Sequence, residues 1–220
     1  MTGLRVLVAC ECTGTVRDAF LALGADAWSC DIKPTEAPGP HIQGDCRKVL
    51  TWGWDLMVCH PPCTYLSSSG LHWNRRPGGE HRALKTEAAV AFALSLWRAP
   101  IPFIAMENPV GRLGTTIGKA TQTIQPYDFG EDASKRTCLW LKGLPPLATD
   151  PAARRAGRIV TDPRNGKQVE RWANQTDSGQ NRLGPSDERA ALRSATYPAI
   201  ARAMAEQWSH AAAGQLRLAA

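Results

Sequence analysis

The segment WDLMVCHPPC, residues 54–63, determines the fold class. Its first part, Trp54–Cys59, contains a short apolar run of the kind that forms a buried strand. His60, two prolines and Cys63 follow directly. Because proline lacks a backbone N–H and restricts φ, the strand has to end there and the loop after it is stiff. The segment therefore predicts a strand that presents a cysteine at its carboxyl end.

Apolar runs of the same kind lie on both sides of this segment. Leu4–Ala9, Ala25–Ile32 and Phe103–Met106 predict further buried strands. Between the first two of them, apolar residues at helical spacing begin at Val16, and Gly24 ends the predicted helix. Strands that alternate with helices predict an α/β fold with a mainly parallel sheet flanked by helices.

The remaining elements follow from the same patterns. Glu80–Arg98 predicts the clearest helix, and its apolar face is predicted at Leu84, Ala88, Ala91 and Leu94. Residues 64–79 are polar and contain glycine, so they predict a loop. Thr121–Phe129 and Thr137–Leu141 predict a late pair of strands, and a last helix is predicted to begin near Ser186.

Composition excludes several classes of protein. The chain has 220 residues, of which 43% are hydrophobic and 21% charged, which excludes a disordered, collagen-like or coiled-coil protein. No segment approaches the roughly 18 apolar residues of a membrane helix, and the first nine residues do not resemble a secretory leader. Seven cysteines form no disulfide-scaffold pattern. We expect a cytoplasmic, monomeric protein without membrane association, formed by one domain over residues 1–220.

The charge is concentrated in the last third of the chain. The net charge is +6, of which residues 1–150 contribute 15 − 14 = +1 and residues 151–220 contribute 11 − 6 = +5. A basic segment beside a neutral body favours a polyanionic partner, most simply a nucleic acid. A solvated, arginine-rich surface is the alternative.

Several polar residues are predicted to meet at one edge of the sheet. Ligands of parallel α/β sheets bind at the carboxyl ends of the strands, where Cys10–Gly14, Asp31, Asp45, His60–Cys63 and Glu107–Asn108 are expected. A loop that opens a helix can bind an anion, and an acid after the second strand can accept hydrogen bonds from a ribose. Asp31 and Asp45 could instead be turn or capping residues.

Cys63 and Glu107 are the candidate reactive groups. A cysteine on a rigid loop can act as a nucleophile, although it could also be a small buried hydrophobe. Glu107 ends an apolar strand, so we expect burial to raise its pKa and allow it to protonate a ring nitrogen. Solvent exposure or an arginine partner would be the ordinary alternative for this acid. Cys59, His60 and Cys63 lack a second ligand pair, so no metal site is predicted.

The two motifs together resemble a known family. Pro61-Pro62-Cys63 and Glu107-Asn108-Pro109 are 107 − 63 = 44 residues apart, and they resemble the Pro-Pro-Cys and Glu-Asn-Val motifs of the cytosine carbon-5 DNA methyltransferases. The resemblance implies a Rossmann-like methyltransferase fold, S-adenosylmethionine as cofactor and DNA as substrate, duplex or single-stranded. It also implies that Cys63 attacks carbon 6 of a flipped cytosine while Glu107 engages nitrogen 3 and the exocyclic amine.

The resemblance extends to further positions. It implies a third catalytic residue, Arg136. The residues that it implies for cofactor binding are Cys10, Glu11, Gly14, Asp31, Ile32, Asp45, Cys46 and Pro61. Those that it implies for nucleic-acid binding, together with basic residues of the loop and the late segment, are Ser67, Arg75, Arg76, Asn108, Lys135, Arg171 and Arg182.

The sequence departs from the family's pattern in four places. The first loop has Cys10 for the usual Phe, and Cys12 and Thr15 for the usual glycines. Pro109 replaces Val, and the C-terminal motif, Tyr197–Ile200, lacks its usual Asn. A small basic insert, residues 146–185, takes the place of the target-recognition domain.

The insert affects the expected specificity. It carries many cations for phosphates, but its candidates for reading bases are few: Trp172, Asn174, Gln175, Gln180 and Asn181. We therefore expect low specificity, a short target site or a protein partner that supplies recognition. A mobile, solvated loop is the alternative.

Other functions stay open at this point. An enzyme that methylates an exocyclic amine needs a polar acceptor before Pro-Pro and an aromatic residue after it, where this chain has His60 and Cys63. Modification of RNA or of a free cytosine nucleotide, transfer of a modified methyl group, and a non-catalytic nucleic-acid binder are the alternatives.

Overall fold

The computed structural model describes residues 3–184 and 189–219 of the chain. Its centre is a seven-stranded sheet built from β1 (Arg5–Ala9), β2 (Asp26–Asp31), β3 (His41–Gln43), β4 (Leu56–Cys59), β5 (Phe103–Asn108), β6 (Gln122–Ile124) and β7 (Thr137–Lys142). The order across the sheet is β3-β2-β1-β4-β5-β7-β6. The first five strands are parallel, and β7 runs antiparallel to β5 and β6.

Helices cover both faces of this sheet. Those in the described residues are α1 (Thr15–Leu21), α2 (Ser68–Leu71), α3 (Glu80–Trp97), α4 (Leu113–Thr116), α5 (Arg189–Ser194) and α6 (Pro198–Ala219). Successive strand residues point to opposite faces, so Val6 and Val8 pack with α1 and α6, while Leu7 and Met57 pack with α3. The predicted α/β fold with a mainly parallel sheet flanked by helices is confirmed.

The predicted apolar face of α3 is wrong. Its buried residues are Thr86, Val90, Ala93 and Leu96, whereas Leu84 is 70% exposed. The helix turns its polar Thr86 inward because the Thr86 hydroxyl bridges two groups of the preceding loop, as described below. Residues 64–79 are also more regular than predicted, since they include α2 and a short 3₁₀ helix, His72–Arg75.

The insert contains a small sheet of its own. Arg158–Thr161 and Gln168–Arg171 form an antiparallel hairpin, β8 and β9, separate from the main sheet. Trp172, directly after β9, stacks on Tyr127 with the ring centres 3.9 Å apart. The predicted helix start at Ser186 lies outside the described residues. No helix in the described ranges combines the length and apolar character needed to cross a membrane.

Candidate active site

Cys63 lies on a turn that begins two residues beyond the buried Pro61. The backbone N–H groups of Leu66 and Ser67 donate to the Cys63 carbonyl at 3.0 and 2.9 Å. The Cys63 side chain is half-buried, and its thiol is reduced. The turn therefore fixes the backbone of the predicted nucleophile while leaving its sulfur partly accessible.

The loop after Cys63 is tied to α3 by side chains that face it. Thr86 Oγ1 donates to the Tyr65 carbonyl at 3.1 Å and accepts from Asn74 Nδ2 at 2.9 Å. Arg82 donates from Nη2 to the Thr64 carbonyl at 2.9 Å and from Nε to the Gly70 carbonyl at 3.2 Å. We call residues 60–79 the Cys63 loop. These bonds hold the Cys63 loop in one conformation.

A second support comes from β5. Since β4 and β5 are parallel neighbours with Cys59 opposite Met106, the residues that follow them are brought side by side. Asn108 Nδ2 donates to the Pro61 carbonyl at 2.7 Å. Asn108, predicted to contact nucleic acid, is only 3% exposed and supports the loop from below in this structure. Pro61 was predicted to bind cofactor, and its carbonyl accepts this bond.

Glu107 is held by three side chains from different segments. His60 Nδ1 donates to Glu107 Oε2 at 2.8 Å, and Thr196 Oγ1 donates to the same oxygen at 3.4 Å. Lys135 Nζ lies 3.7 Å from Oε1, and it also donates to the Ser194 and Ala195 carbonyls. Lys135 was predicted to contact nucleic acid, and in this structure its ammonium lies beside the Glu107 carboxylate.

These partners reverse the predicted pKa shift of Glu107. Burial raises its pKa, but the positive charge of Lys135 and the His60 hydrogen bond outweigh burial and lower the pKa to about 2. Burial lowers the pKa of His60, and the bond and charge of Glu107 more than offset this, so the net shift is upward from 6.5. The prediction of a raised Glu107 pKa is therefore wrong, and the group is a carboxylate beside a cation at neutral pH.

Two buried polar atoms next to this pair have no partner. Within the described ranges, His60 Nε2 and Asn108 Oδ1 are inaccessible to solvent and form no hydrogen bond. Such atoms are rare in folded proteins, and each one calls for an explanation. One atom is a ring nitrogen and the other an amide oxygen, and each can form one more hydrogen bond than it does here.

The first loop does not leave the start of α1 open to an external anion. Glu11 is buried, and its carboxylate accepts from the N–H groups of Val16 and Arg17 at 2.7 and 3.2 Å. The chain's own carboxylate therefore occupies the position at which a ligand anion was predicted. The predicted role of Glu11 in cofactor binding is replaced by capping of α1. Gly14 takes the left-handed conformation, with φ of 78°, where a side chain would be strained.

Cys10 and Cys46, both predicted to bind cofactor, belong to a buried thiol cluster. Cys10 is the non-glycine residue with positive φ, 62°, in the described chain. Its N–H donates to Cys46 Sγ at 3.3 Å, and the two sulfur atoms are 3.9 Å apart. Cys46 Sγ donates to the Cys30 carbonyl at 3.1 Å. The cluster packs β1, β2 and the segment after β3 together.

Asp31 and Asp45, the two acids predicted to bind the cofactor, differ in how many of their carboxylate oxygens are already hydrogen-bonded. Asp45 accepts from the Arg47 N–H and pairs with the Arg47 guanidinium through both oxygens, and these bonds lower its pKa to about 2. Asp31 uses Oδ1 to accept from the Lys33 N–H at 2.9 Å. Its neighbour Ile32 is an apolar side chain that is 76% exposed. The end of β2 is therefore the more open of the two positions.

Most cations of the insert are neutralised within it. Arg154 pairs with Glu170, Arg158 with Asp177, and Arg164 and Arg171 share the buried Asp162. Arg171 also donates to the Glu170 and Asp177 carbonyls, and Arg182 donates to the Gln175 carbonyl. Arg171 was predicted to contact phosphate, and in this structure its guanidinium organises the hairpin.

Two of the predicted base readers of the insert, Trp172 and Asn174, are likewise used internally. Trp172 is buried and donates from Nε1 to the Arg155 carbonyl at 3.0 Å. Asn174 exchanges two hydrogen bonds of 2.9 Å with the Ser134 backbone. These residues attach the insert to the main body.

The remaining predicted residues lie at the surface of the loop or near β7. The Ser67 backbone pairs with Gly111 in an isolated antiparallel β-bridge, and the Ser67 hydroxyl forms a hydrogen bond with the Ser69 hydroxyl. Arg75 and Arg76 are exposed, as is Arg136 before β7. Arg136 has no hydrogen bond or ion pair in the described part of the chain. No cluster of three or more metal-ligating side chains occurs among the described residues.

Sequence reasoning missed several residues of the site. His60 was visible beside the Pro-Pro-Cys motif but was assessed only as a zinc ligand. Thr86 and Thr196 carry no sequence signal, since lone threonines are common in helices and loops. Arg17, fully buried in α1, donates to Ser29, Thr35 and two loop carbonyls. Its burial was not predicted because a charged side chain normally indicates a surface position.

Comparison with known proteins gives likenesses to solved structures only. No protein-family model matches the chain, and no curated protein matches it. Among solved structures it is similar to an Escherichia coli prophage protein provisionally described as a DNA modification methyltransferase, with 13% identity and a TM-score of 0.41. The match covers 63% of this chain and 46% of the other, so the chain spans less than half of that protein. A likeness at this level does not assign an activity.

Proposed function

We propose that this protein transfers a methyl group from S-adenosylmethionine to carbon 5 of cytosine in DNA. The observation that carries the proposal is the linkage of the two candidate reactive residues. Asn108 bonds to the backbone before Cys63, and His60, on the same loop, bonds to Glu107 at 2.8 Å. A nucleophile and an acid–base group are thereby held on two adjacent strand ends, where α/β sheets bind ligands.

Cys63 supplies the nucleophile. Its sulfur forms a bond to carbon 6 of cytosine, and the thiol proton leaves to solvent. Carbon 5 becomes nucleophilic because the ring double bond is consumed by this addition. Carbon 5 then gains the methyl group as the sulfur–methyl bond breaks and S-adenosylhomocysteine leaves. Carbon 5 next loses its proton to solvent, the electron pair re-forms the ring double bond, and the bond from Cys63 to carbon 6 breaks to release the thiolate. A cysteine cannot reach carbon 6 inside a stacked duplex, so the base has to leave the stack.

Glu107 and His60 handle the proton at nitrogen 3. Addition at carbon 6 places negative charge on the ring, and a proton delivered to nitrogen 3 neutralises it. Glu107 alone is a poor donor because its pKa is about 2. His60 carries the proton instead, and it passes the proton through Glu107 Oε2 to nitrogen 3. The proton returns by the same route when the cysteine leaves.

The cofactor fits the end of β2 better than the other predicted positions. When bound, S-adenosylmethionine supplies an electrophilic methyl group on a positively charged sulfur. Asp31 Oδ2 has no hydrogen-bond partner in the described ranges and could accept from ribose hydroxyls. The exposed Ile32 offers an apolar surface to the adenine ring. Asp45 and Cys46 are engaged by Arg47 and by the thiol cluster, so we assign them a structural part.

Nucleoside mass spectrometry tests the proposal. The purified protein is incubated with S-adenosylmethionine carrying a deuterated methyl group and, in separate arms, with duplex DNA, single-stranded DNA, RNA and dCTP. We expect deuterated 5-methyldeoxycytidine in a DNA arm, its loss in Cys63→Ser, and its retention in Cys138→Ser, which changes a cysteine of β7. Labelled product only with RNA or dCTP, or methylation of the exocyclic amine, would overturn the proposal.

A further inference from the structure

The Cys63 loop and the start of α3 carry two aromatic rings with cations placed over them. We call six of these residues the Trp73 surface: Tyr65, Trp73, Arg75, Arg76, Arg82 and Lys85. The Arg76 guanidinium lies 4.4 Å from the centre of the Trp73 ring. Arg82 and the Lys85 ammonium lie 4.9 and 5.7 Å from the centre of the Tyr65 ring. Cations over aromatic faces attract the rings and stay available to anions on their outer side.

The positive charge of this surface is not neutralised. In the described part of the chain, no ion pair joins Arg75, Arg76, Arg82 or Lys85 to an acidic side chain. Arg82 bonds to backbone carbonyls, which leave its charge in place. The insert differs, because four of its arginines, Arg154, Arg158, Arg164 and Arg171, are paired with its own carboxylates. The Trp73 surface is therefore the better candidate for contacting phosphates.

Trp73 is a preformed platform. Its side chain is 49% exposed although Arg76 covers part of one face. The adjacent Asn74 is fixed by Thr86, so the ring is held on a rigid segment. An open cleft of about 340 Å³ lies beside it, lined by Trp73, Arg76, Pro77, Gly78, Gly79 and Arg82. Gly79 forms a close wall, since a Cβ there would lie 2.4 Å from the Trp73 carbonyl oxygen.

We infer that the Trp73 surface binds single-stranded DNA, with Trp73 stacking on an unpaired base and the cations contacting the flanking phosphates. An exposed indole can stack only on a base whose face is uncovered, and in a duplex both faces are covered by neighbours. The choice of DNA over RNA rests on the proposed function. Trp73 and Cys63 lie on the same loop, so a single strand bound at Trp73 would be held on the loop that carries the nucleophile.

Binding by fluorescence anisotropy tests this inference. The probe is a labelled oligodeoxynucleotide of about 20 nucleotides, longer than the roughly 4 to 16 nucleotides of single-strand sites, compared with its duplex and with RNA of the same sequence. We expect the single-stranded DNA to bind most tightly. Trp73→Ala weakens that binding by about 5- to 100-fold, from the usual worth of one stacked base, and Trp73→Phe restores most of it.

Matched controls separate stacking from general damage. Trp52→Ala changes another tryptophan that is 53% exposed, before β4 at the opposite edge of the sheet, and leaves binding unchanged. The double variant Arg75→Ala/Arg76→Ala reduces the slope of the logarithm of the binding constant against the logarithm of the salt concentration by about 0.7 per cation removed. Arg158→Ala leaves this slope unchanged. Equal binding by wild type and Trp73→Ala, or tighter binding of the duplex or the RNA, would overturn the inference.

The same experiment distinguishes this inference from the proposed function. Cys63→Ala binds the single strand like the wild type, because no covalent bond is required. If Trp73-dependent binding is found but no 5-methyldeoxycytidine forms, the proposed function fails and the surface stands. If 5-methyldeoxycytidine forms equally in wild type and Trp73→Ala on single strands, at limiting DNA, the surface fails and the function stands.

Discussion

His60 Nδ1 lies 2.8 Å from Glu107 Oε2, which joins the residue after β4 to the penultimate residue of β5. Both side chains are nearly buried, with exposures of 15% and 10%. A buried ion pair of this kind is strongly coupled, and the loss of one partner leaves the other charge uncompensated. The pair therefore links the stability of the sheet edge to the protonation that the proposed mechanism requires.

Stability should depend on pH through this pair. The lowered pKa of Glu107 gives stability that is present above its ordinary value of 4.5 and is lost as the pH falls towards 2. The raised pKa of His60 gives stability that is complete below 6.5 and is lost as the pH rises through its folded-state value. The pair thus contributes most between about pH 4.5 and 6.5.

His60→Ala tests this dependence. We expect it to lower the free energy of unfolding by about 3–5 kcal/mol near pH 6 and by less at higher pH, since a buried partner is removed. Urea unfolding as a function of pH gives the measurement. The exposed His72→Ala serves as control. A cost for His60→Ala that is constant across pH would contradict a charged pair.

Thr86→Val should loosen the Cys63 loop. Valine keeps the shape of threonine but leaves the Tyr65 carbonyl and the Asn74 amide unpaired, at a cost of about 1–3 kcal/mol. Hydrogen exchange should accelerate at residues 64–76 and stay unchanged in β1. Thr86→Ser retains the hydroxyl and should exchange like the wild type. Unchanged exchange in Thr86→Val would show that other contacts hold the loop.

Asp31 and Asp45 should differ in cofactor binding. Asp31→Ala removes a carboxylate with an available oxygen, so affinity for S-adenosylmethionine should fall by about 10- to 100-fold, the worth of a hydrogen bond to a charged group. Asp45→Ala should lower this affinity less, because the Asp45 carboxylate is engaged by Arg47. Isothermal titration calorimetry on both variants gives the comparison. Equal losses, or a larger loss for Asp45→Ala, would refute the assignment.

Trp172 should anchor the insert. Its ring stacks on Tyr127 at 3.9 Å, so Trp172→Ala should lower the free energy of unfolding by about 3–5 kcal/mol, as for other buried aromatic truncations. Ile159→Ala changes an exposed apolar side chain of β8 and should stay within about 0.5 kcal/mol. Similar unfolding midpoints for the two variants would contradict this packing.

The main elements of the fold were predictable because each combines an apolar run with a clear end. β4 ends at the two prolines, and α1 ends close to Gly24. The three-residue β3, His41–Gln43, carries no apolar pattern and was missed. The face of α3 was assigned wrongly because the buried Thr86 satisfies a loop carbonyl, a requirement that hydrophobic spacing does not contain.

The candidate site was predictable as a set of residues but not in its electrostatics. The carboxyl-edge rule brought Cys63 and Glu107 to the same part of the sheet. The lowered pKa of Glu107 depends on Lys135, which approaches from a segment far along the chain. The neutralised insert likewise depends on which carboxylate each arginine meets, as with Arg158 and Asp177. Such pairings are set by tertiary contacts and have no local sequence signal.

Covalent trapping tests the proposed chemistry most directly. An oligodeoxynucleotide with 5-fluorocytosine is incubated with the protein and S-adenosylmethionine, because carbon 5 cannot lose fluorine as a cation and the cysteine then cannot leave. Intact mass spectrometry should show the protein joined to the methylated oligonucleotide, peptide mapping should place the bond at Cys63, and Cys63→Ser should form no adduct. A bound but unlinked oligonucleotide, or an adduct at any of the other six cysteines, would contradict nucleophilic attack by Cys63.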